Sequence, residues 1–173
     1  MKENFTMKRA AFVFAVFALL IWFDQWTKAL AVKHLMNQEP FVLIPGVFQL
    51  RYLENRGAAF GMMQGKMMFF VVIAVAVTIA VAYLYFKLPW NKRFHPLRCI
   101  GVFITAGAVG NMIDRVCLGY VVDFFYFELI DFPIFNVADI YVTVATAVMA
   151  ILILCFYNED ELEYLFPSKK EKK

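Results

Sequence analysis

The sequence predicts an all-α polytopic membrane protein with four transmembrane helices, because its composition is strongly apolar and its apolar residues are clustered. Of the 173 residues, 62% are hydrophobic and only 18% are charged. An ordinary soluble domain has about 45–50% apolar and about 25% charged residues. Each of four apolar runs approaches the roughly 20 residues that a helix needs to cross about 30 Å of hydrocarbon. The runs lack the alternation of a membrane β-barrel, so helices are expected.

The limits of the apolar runs define the predicted spans and connectors. The spans cover residues 10–32, 67–86, 97–112 and 139–157. The long connectors cover 33–66 and 113–138, and a polar tail covers 158–173. We therefore expect a single membrane domain over residues 1–173. The first run continues into Asp24 and lacks a small-x-small cleavage site, which favours a retained span over a signal peptide.

The distribution of Lys and Arg predicts the orientation of the spans. Of these 17 residues, eleven lie in the N-terminal segment, the loop between the second and third spans, and the tail. The other six lie on the opposite side of the predicted spans. Because positive residues are retained in the cytoplasm, both termini are predicted to be cytoplasmic and both long connectors to face outward.

The two long connectors carry different patterns. In the first, residues 47–53 partly alternate between apolar and polar after the turn residues Pro45 and Gly46, which is typical of short strands on a membrane surface. The second connector contains six aromatic residues between 124 and 135. This density of rings predicts an interfacial segment at the level of the lipid headgroups.

Composition also argues against several kinds of site. The net charge of +3 comes without a basic stripe, so no nucleic-acid partner is expected. Cys99, Cys117 and Cys155 form neither a C-x-x-C motif nor a Cys/His cluster, so neither a metal site nor a disulfide framework is predicted. The only serine, Ser168, lies in the polar tail. We expect chemistry that requires no metal, no cofactor and no covalent nucleophile.

Asp123 and Asp139 are the candidate catalytic residues, because both lie in the most apolar part of the chain on the same predicted side of the membrane. A charged side chain at mid-helix costs about 2.5–3.5 kcal/mol on insertion scales, so such residues are functional candidates. Two carboxylates at close range cannot both ionise; one keeps a proton while the other accepts one from water. The structural alternatives are that Asp139 is a helix N-cap and that Asp123 is a solvated loop acid.

Asp24 and Lys28 are four residues apart and share one face of the first span. They form either a structural ion pair that fixes helix packing or a support that orients a neighbouring loop. Asn55 and Gly57 lie in a segment of small and polar residues, which is either an ordinary turn or a contact with a peptide backbone.

Three polar residues cluster near the end of the third span. Asp114 and Arg115 are expected to satisfy each other as a structural pair, whereas Asn111 is expected to face the site. Asn136 lies three residues before Asp139, on the same helix face if the fourth helix has begun there.

Five segments of the chain, in order, resemble the lipoprotein signal peptidases, also called signal peptidase II. These segments are Asp24 with Lys28, residues 55–60 (NRGAAF), residues 110–115 (GNMIDR), residues 121–124 (VVDF) and residues 135–139 (FNVAD). The resemblance extends over nearly the whole chain, and it departs from the family's pattern at none of these positions.

The resemblance implies an aspartic endopeptidase of the bacterial inner membrane that cuts diacylglyceryl-modified prolipoproteins just before the lipidated cysteine. It implies Asp123 and Asp139 as the dyad, and Asn55, Gly57, Asn111, Arg115 and Asn136 as substrate or inhibitor contacts or dyad support. Asp24, Lys28 and Asp114 are expected to be structural. The family's fold adds a small periplasmic sheet cradle and a short interfacial helix. The expected partners are the prolipoprotein, membrane lipids and cyclic peptide inhibitors of the globomycin type.

Two other classes of function remain open from the residues alone. A small transporter or proton-conducting protein would use Asp24, Asp123 and Asp139 as relay carboxylates. A membrane scaffold without enzymatic activity would leave the acid pair unexplained.

Overall fold

The computed structural model of the chain describes residues 6–57 and 66–162. Its long helices are α1 (Met7–Leu35), α2 (Met67–Lys87), α3 (His95–Leu118) and α4 (Val137–Cys155), and a short helix α5 (Glu159–Leu162) follows. The strands are β1 (Phe41–Ile44), β2 (Phe48–Asn55) and β3 (Val121–Tyr126). Single 3₁₀ turns cover Lys92–Phe94 and Glu128–Ile130. Within the described residues, four helices are long and apolar enough to cross a membrane, as predicted.

The third helix is longer than the predicted span. It begins at His95 with Pro96 in its first turn, where a missing backbone N–H costs nothing, and continues to Leu118. Gly119 ends it in the left-handed conformation, with φ of +82°. The polar residues at 111, 114 and 115 therefore lie inside a helix, two turns or less from its end, and project from it into the bundle.

The three strands form one antiparallel sheet in the order β1-β2-β3. Strand structure was expected at residues 47–53 of the first connector, which β2 covers; β1 lies before the predicted turn, and β3 comes from the second connector, where only an interfacial segment was predicted. β2 pairs with β3 in a register that places Leu53 opposite Asp123 and Asn55 opposite Val121. The short helix expected in the second connector is the 3₁₀ turn at Glu128–Ile130. The sheet therefore joins the two connectors and brings their polar residues together.

Helix α3 is the centre of the bundle and packs against α1, α2 and α4. Two of its glycines allow this close approach. A Cβ atom on Gly107 would lie 2.5 Å from the carbonyl oxygen of Ala138, and one on Gly110 would lie 2.6 Å from Asp24 Oδ2. These glycines let α1 and α4 meet α3 at the level where the acidic residues lie.

Candidate active site

Asp123 lies in the middle of β3 and is 1% exposed. The alternation of the strand turns Val122 and Phe124 into the core beside α1, and directs Asp123 to the opposite face. Its Oδ1 accepts a hydrogen bond from Asn136 Nδ2 at 2.7 Å, and its Oδ2 accepts one from Asn55 Nδ2 at 2.8 Å. The alternative of a solvated loop acid is therefore wrong.

The environment of Asp123 strongly favours its protonated form. Burial raises the pKa of its carboxyl from the ordinary value of 3.8 to about 7, and the nearby charge of Asp139 adds to the rise. The hydrogen bonds from Asn55 and Asn136, and the charge of Lys28, oppose the rise without cancelling it. The Asp123 carboxyl therefore changes its protonation state close to neutral pH.

Asp139 lies in the first turn of α4, but it is not the N-cap. The N-cap is Asn136, whose Oδ1 accepts the backbone N–H of Asp139 at 3.0 Å. In return, Asp139 Oδ2 accepts the backbone N–H of Asn136 at 3.1 Å, which completes a capping box. The other oxygen, Oδ1, accepts a hydrogen bond from Asn111 Nδ2 at 2.8 Å. Both carboxylate oxygens are therefore held in place by the protein.

Asn136 connects the two carboxyl groups directly. Its side chain is fully buried, and Nδ2 donates to Asp123 while the backbone N–H donates to Asp139. Nδ2 also lies 3.0 Å from Asn111 Oδ1. The cap of α4 thus fixes the position of one acid and the orientation of the other.

Lys28 is the centre of a second, buried network beneath the pair. Its ammonium lies 2.9 Å from Asp24 Oδ2, 3.1 Å from Asp114 Oδ2 and 2.9 Å from Asn111 Oδ1. The predicted Asp24–Lys28 ion pair is present, and Asp114 joins it. Three donors therefore meet three acceptors, which is what a buried ammonium requires.

The two carboxylates that pair with Lys28 each hold the backbone one residue before a member of the acid pair. Asp114 Oδ2 accepts the N–H of Val122 at 3.1 Å, and Asp24 Oδ1 accepts the N–H of Ala138 at 2.9 Å. The second bond also satisfies a free N–H of the first turn of α4. Through Asp114 and Asp24, Lys28 therefore links helices α1 and α3 to strand β3 and helix α4.

The expected pairing of Asp114 with Arg115 is wrong, because Asp114 points inward to Lys28 and Arg115 points into the cavity. Arg115 Nη1 donates to the carbonyl oxygen of Asn111 at 3.2 Å, and its guanidinium lies 4.9 Å from the centroid of the Phe70 ring. Sequence reasoning also missed Gln25, whose Nε2 donates to Asp114 Oδ1 at 2.8 Å. Its position next to Asp24 was the only available signal.

Both members of the acid pair line one cavity of about 430 Å³ at the end of the bundle. Asn55, Gly57 and Arg115 line it as well, and the backbone N–H of Gly57 fixes Asn55 by donating to its Oδ1 at 3.0 Å. Apolar residues 132–135 and the first two turns of α4 complete the wall. Part of the predicted NRGAAF segment, residues 58–60, lies outside the described residues. Among those described, no group of three His, Cys, Asp or Glu side chains is placed to hold a metal ion.

The fold and the site define a polytopic membrane protein with a paired-carboxylate site at one end of its helical bundle. The sequence profile of the family described as "Signal peptidase (SPase) II" matches residues 16–155. The chain belongs to the signal peptidase II family and is a membrane peptidase. The family is one of peptidases and not of transporters or scaffolds.

Individual relatives agree with this assignment. The lipoprotein signal peptidase of Caldanaerobacter subterraneus subsp. tengcongensis is 45% identical over 140 residues, which cover 80% of this chain and 93% of the relative. The enzyme of the same name from Enterococcus faecalis is 43% identical over 147 residues, which cover 84% and 88% of the two chains. A bacterial membrane enzyme structure obtained by the in meso method has a TM-score of 0.75 and 30% identity, and the match covers 100% of this chain and 98% of that one.

Proposed function

We propose that the protein is an aspartic endopeptidase in which Asp123 and Asp139 jointly activate a water molecule. The observation that carries the proposal is the position of the two carboxyl groups, which line one cavity and are joined by Asn136. The names of the relatives support a prolipoprotein as the substrate. The proposed cut removes the signal peptide just before the diacylglyceryl-modified cysteine.

The chemistry follows from one proton shared between two acids. Asp123, with its pKa of about 7, carries this proton near neutral pH. Asp139 accepts a proton from the attacking water, while Asp123 donates its own to the carbonyl oxygen of the scissile peptide. The resulting tetrahedral species collapses when the leaving nitrogen takes a proton from Asp139, and Asp123 recovers its proton from the former carbonyl oxygen. The C–N bond breaks, and the proton inventory of the pair is restored.

Residues around the pair have proposed roles in binding and orientation. Asn55, Gly57 and Arg115 line the cavity beside both acids, where polar groups can contact the backbone of an extended peptide. Asn111 and Asn136 hold the carboxylates by the hydrogen bonds described above.

Asp24, Lys28 and Asp114 are proposed to be structural supports. They are 0%, 3% and 2% exposed, so they cannot contact substrate. They act on the site through the backbone of β3 and α4.

The proposed setting is the bacterial inner membrane, with residues 1–173 as a single membrane domain, both termini in the cytoplasm and the cavity on the periplasmic side. The excess of Lys and Arg on one side supports this orientation. A lipid-modified substrate reaches such a cavity within the outer leaflet, surrounded by membrane lipids. Cyclic peptides of the globomycin type are proposed to bind in the same cavity.

The direct test is cleavage of a diacylglyceryl-modified prolipoprotein by purified Asp123→Asn and Asp139→Asn proteins. Because each substitution removes one half of the acid–base pair, each should lower kcat by at least about 10²–10⁴-fold. Asp131→Asn is the matched control, since this acid of the same connector is exposed, its side chain accepts a hydrogen bond from the Tyr126 hydroxyl, and the variant should retain activity. Wild-type turnover in either of the first two variants would remove the dyad assignment.

A further inference from the structure

Thr143 is a polar residue of the active-site cavity that has no role in the proposed reaction. The other polar side chains in the described lining of the cavity are those of Asn55, Arg115, Asp123 and Asp139, and each has a proposed role. Thr143 follows Asp139 by four residues in α4, so both side chains lie on one face of the helix. Four residues of helix place Thr143 about 6 Å farther along α4 from the sheet than Asp139.

The Thr143 hydroxyl has no hydrogen-bond partner in the described part of the chain. A threonine in a helix commonly donates to the carbonyl oxygen four residues earlier, as Thr78 does to Ala74 at 2.7 Å. The Thr143 side chain instead lies exposed at the cavity wall. Because a hydroxyl without a partner is unfavourable in an apolar medium, a ligand that brings an acceptor to Thr143 is favoured.

The wall around Thr143 is apolar and open to lipid. Ile140 and Val144 line the cavity beside it and are 38% and 56% exposed. Because α4 is long and apolar enough to cross a membrane, side chains exposed along it meet hydrocarbon and not water. This part of the wall therefore suits a ligand that is mostly hydrocarbon and carries an isolated acceptor.

An ester-linked acyl chain has this chemistry. Its ester carbonyl accepts a hydrogen bond and brings no donor, and a hydrocarbon chain continues from it. A peptide unit carries an N–H as well as a C=O, and in a region without water both need partners. One hydroxyl on an apolar wall cannot satisfy successive peptide units. In the proposed substrate, the ester carbonyls are joined through glycerol and a thioether to the cysteine at the scissile bond, so they lie only a few bonds from the acid pair.

We propose that Thr143 Oγ1 donates a hydrogen bond to an ester carbonyl of the substrate's diacylglyceryl group, while the acyl chain packs on Ile140 and Val144. This inference rests on the proposed cleavage of diacylglyceryl-modified prolipoproteins, and it names a residue that recognises the lipid. The contact forms when the substrate binds and stays the same during the reaction, so it should lower KM and leave kcat nearly unchanged. Esters of membrane phospholipids have the same chemistry, and the test separates them from the lipid of the substrate.

The test combines a change in the enzyme with a change in the substrate. One substrate is the diacylglyceryl-modified prolipoprotein, and the other is its dialkylglyceryl analogue, in which ethers replace the esters and the carbonyls are absent. Wild type should cleave the ester substrate with the higher kcat/KM. Thr143→Val keeps the shape of the side chain without the hydroxyl, and should reduce this preference by about two- to tenfold, the effect of one neutral hydrogen bond. The loss should appear in KM, and Thr143→Ser should keep the preference.

Thr146→Val is the matched control, since Thr146 is an exposed threonine of the same helix outside the cavity. It should behave like wild type with both substrates, and Thr143→Val should unfold at the wild-type temperature. An unchanged preference in Thr143→Val would overturn the proposal. An equal loss with both substrates would assign the hydroxyl to the peptide or to phospholipid, which also overturns it.

Asp139→Asn separates this proposal from the proposed function. Full cleavage by Asp139→Asn would remove the dyad assignment, whatever the behaviour of Thr143→Val. An inactive Asp139→Asn, together with an unchanged preference in Thr143→Val, would refute the role of Thr143 alone.

Discussion

Asn136 Nδ2 lies 2.7 Å from Oδ1 of Asp123, while the same asparagine caps the helix that carries Asp139. Asn136 therefore both starts helix α4 and holds the Asp123 carboxyl in its position relative to Asp139. A residue that merely capped α4 would need an acceptor for the N–H of Asp139, but it would not need a donor. The donor is the part of Asn136 that the proposed chemistry uses.

Replacement of Asn136 should separate these two roles. Asn136→Ser keeps an oxygen that can cap α4 but loses the amide Nδ2 that donates to Asp123, so it should cost less stability than Asn136→Ala while kcat falls by about tenfold or more. Asn136→Ala loses both and should also cost about 0.5–2 kcal/mol of stability. The measurements are thermal unfolding and prolipoprotein cleavage for both variants. Equal activity of Asn136→Ser and wild type would contradict a role for the donor.

The Lys28 network predicts strong coupling between Lys28 and Asp24. Lys28→Gln leaves two buried carboxylates without their cation, a type of change that costs about 3–5 kcal/mol. Adding Asp24→Asn removes one of the uncompensated charges, so the double variant should unfold at a higher temperature than Lys28→Gln alone. A double-mutant cycle by thermal unfolding measures this coupling. Strictly additive effects would show that the network does not act as a unit.

Gly110 is predicted to tolerate no side chain. The Cβ of Gly110→Ala would lie 2.6 Å from Asp24 Oδ2, and Asp24 is fully buried and cannot move aside freely. Its displacement would weaken the bonds to Lys28 and to the N–H of Ala138, so we expect a loss of about 1–3 kcal/mol and reduced cleavage. Val116→Ile adds a methylene at an exposed position of the same helix and should change neither quantity. Full stability of Gly110→Ala would mean that this contact is not tight in the membrane.

The raised pKa of Asp123 predicts that this residue destabilises the folded protein above acidic pH. Between pH 3.8 and about 7, the folded protein holds a proton on Asp123 that the unfolded chain releases. The stability associated with this proton is complete below pH 3.8 and is lost as the pH rises through about 7. Asp123→Asn carries no ionisable group here, so it should unfold at a higher temperature than wild type at pH 8.

Thermal unfolding at pH 4 supplies the control for that comparison. Wild type and Asp123→Asn should differ little there, because the wild-type carboxyl is then neutral in the folded protein. A constant difference between the two proteins across this pH range would argue against an Asp123 carboxyl that titrates near neutrality.

The sequence predicted the elements with strong local patterns and missed those that depend on distant partners. The four helices were predicted because long apolar runs are unambiguous in a membrane protein. Strand β3 was missed because its six residues are almost continuously apolar, and its partner β2 lies far away in the chain. The predicted end of the third span was too early because polar residues lowered the hydropathy of a helix that continues.

In the candidate site, too, contacts between residues close in the sequence were predicted, whereas contacts between residues far apart in the sequence were missed. Asp24 and Lys28 were paired correctly because helical spacing makes them neighbours, whereas the contact of Lys28 with Asp114 depends on the packing of α1 on α3. Adjacency in sequence suggested that Asp114 and Arg115 pair, but consecutive helical residues point in different directions. The role of Asn136 as N-cap required knowledge of where α4 begins.

Coupled titration of the two acids is the most direct test of the proposed dyad. The protonation of Asp123 can be followed by infrared spectroscopy of ¹³C-Asp-labelled protein, with its band assigned by subtraction of the Asp123→Asn spectrum. In wild type this carboxyl should titrate near pH 7, and in Asp139→Asn its pKa should fall, because the neighbouring negative charge that raises it is gone. An Asp123 pKa that is the same with and without the Asp139 charge would contradict the shared proton on which the proposed mechanism depends.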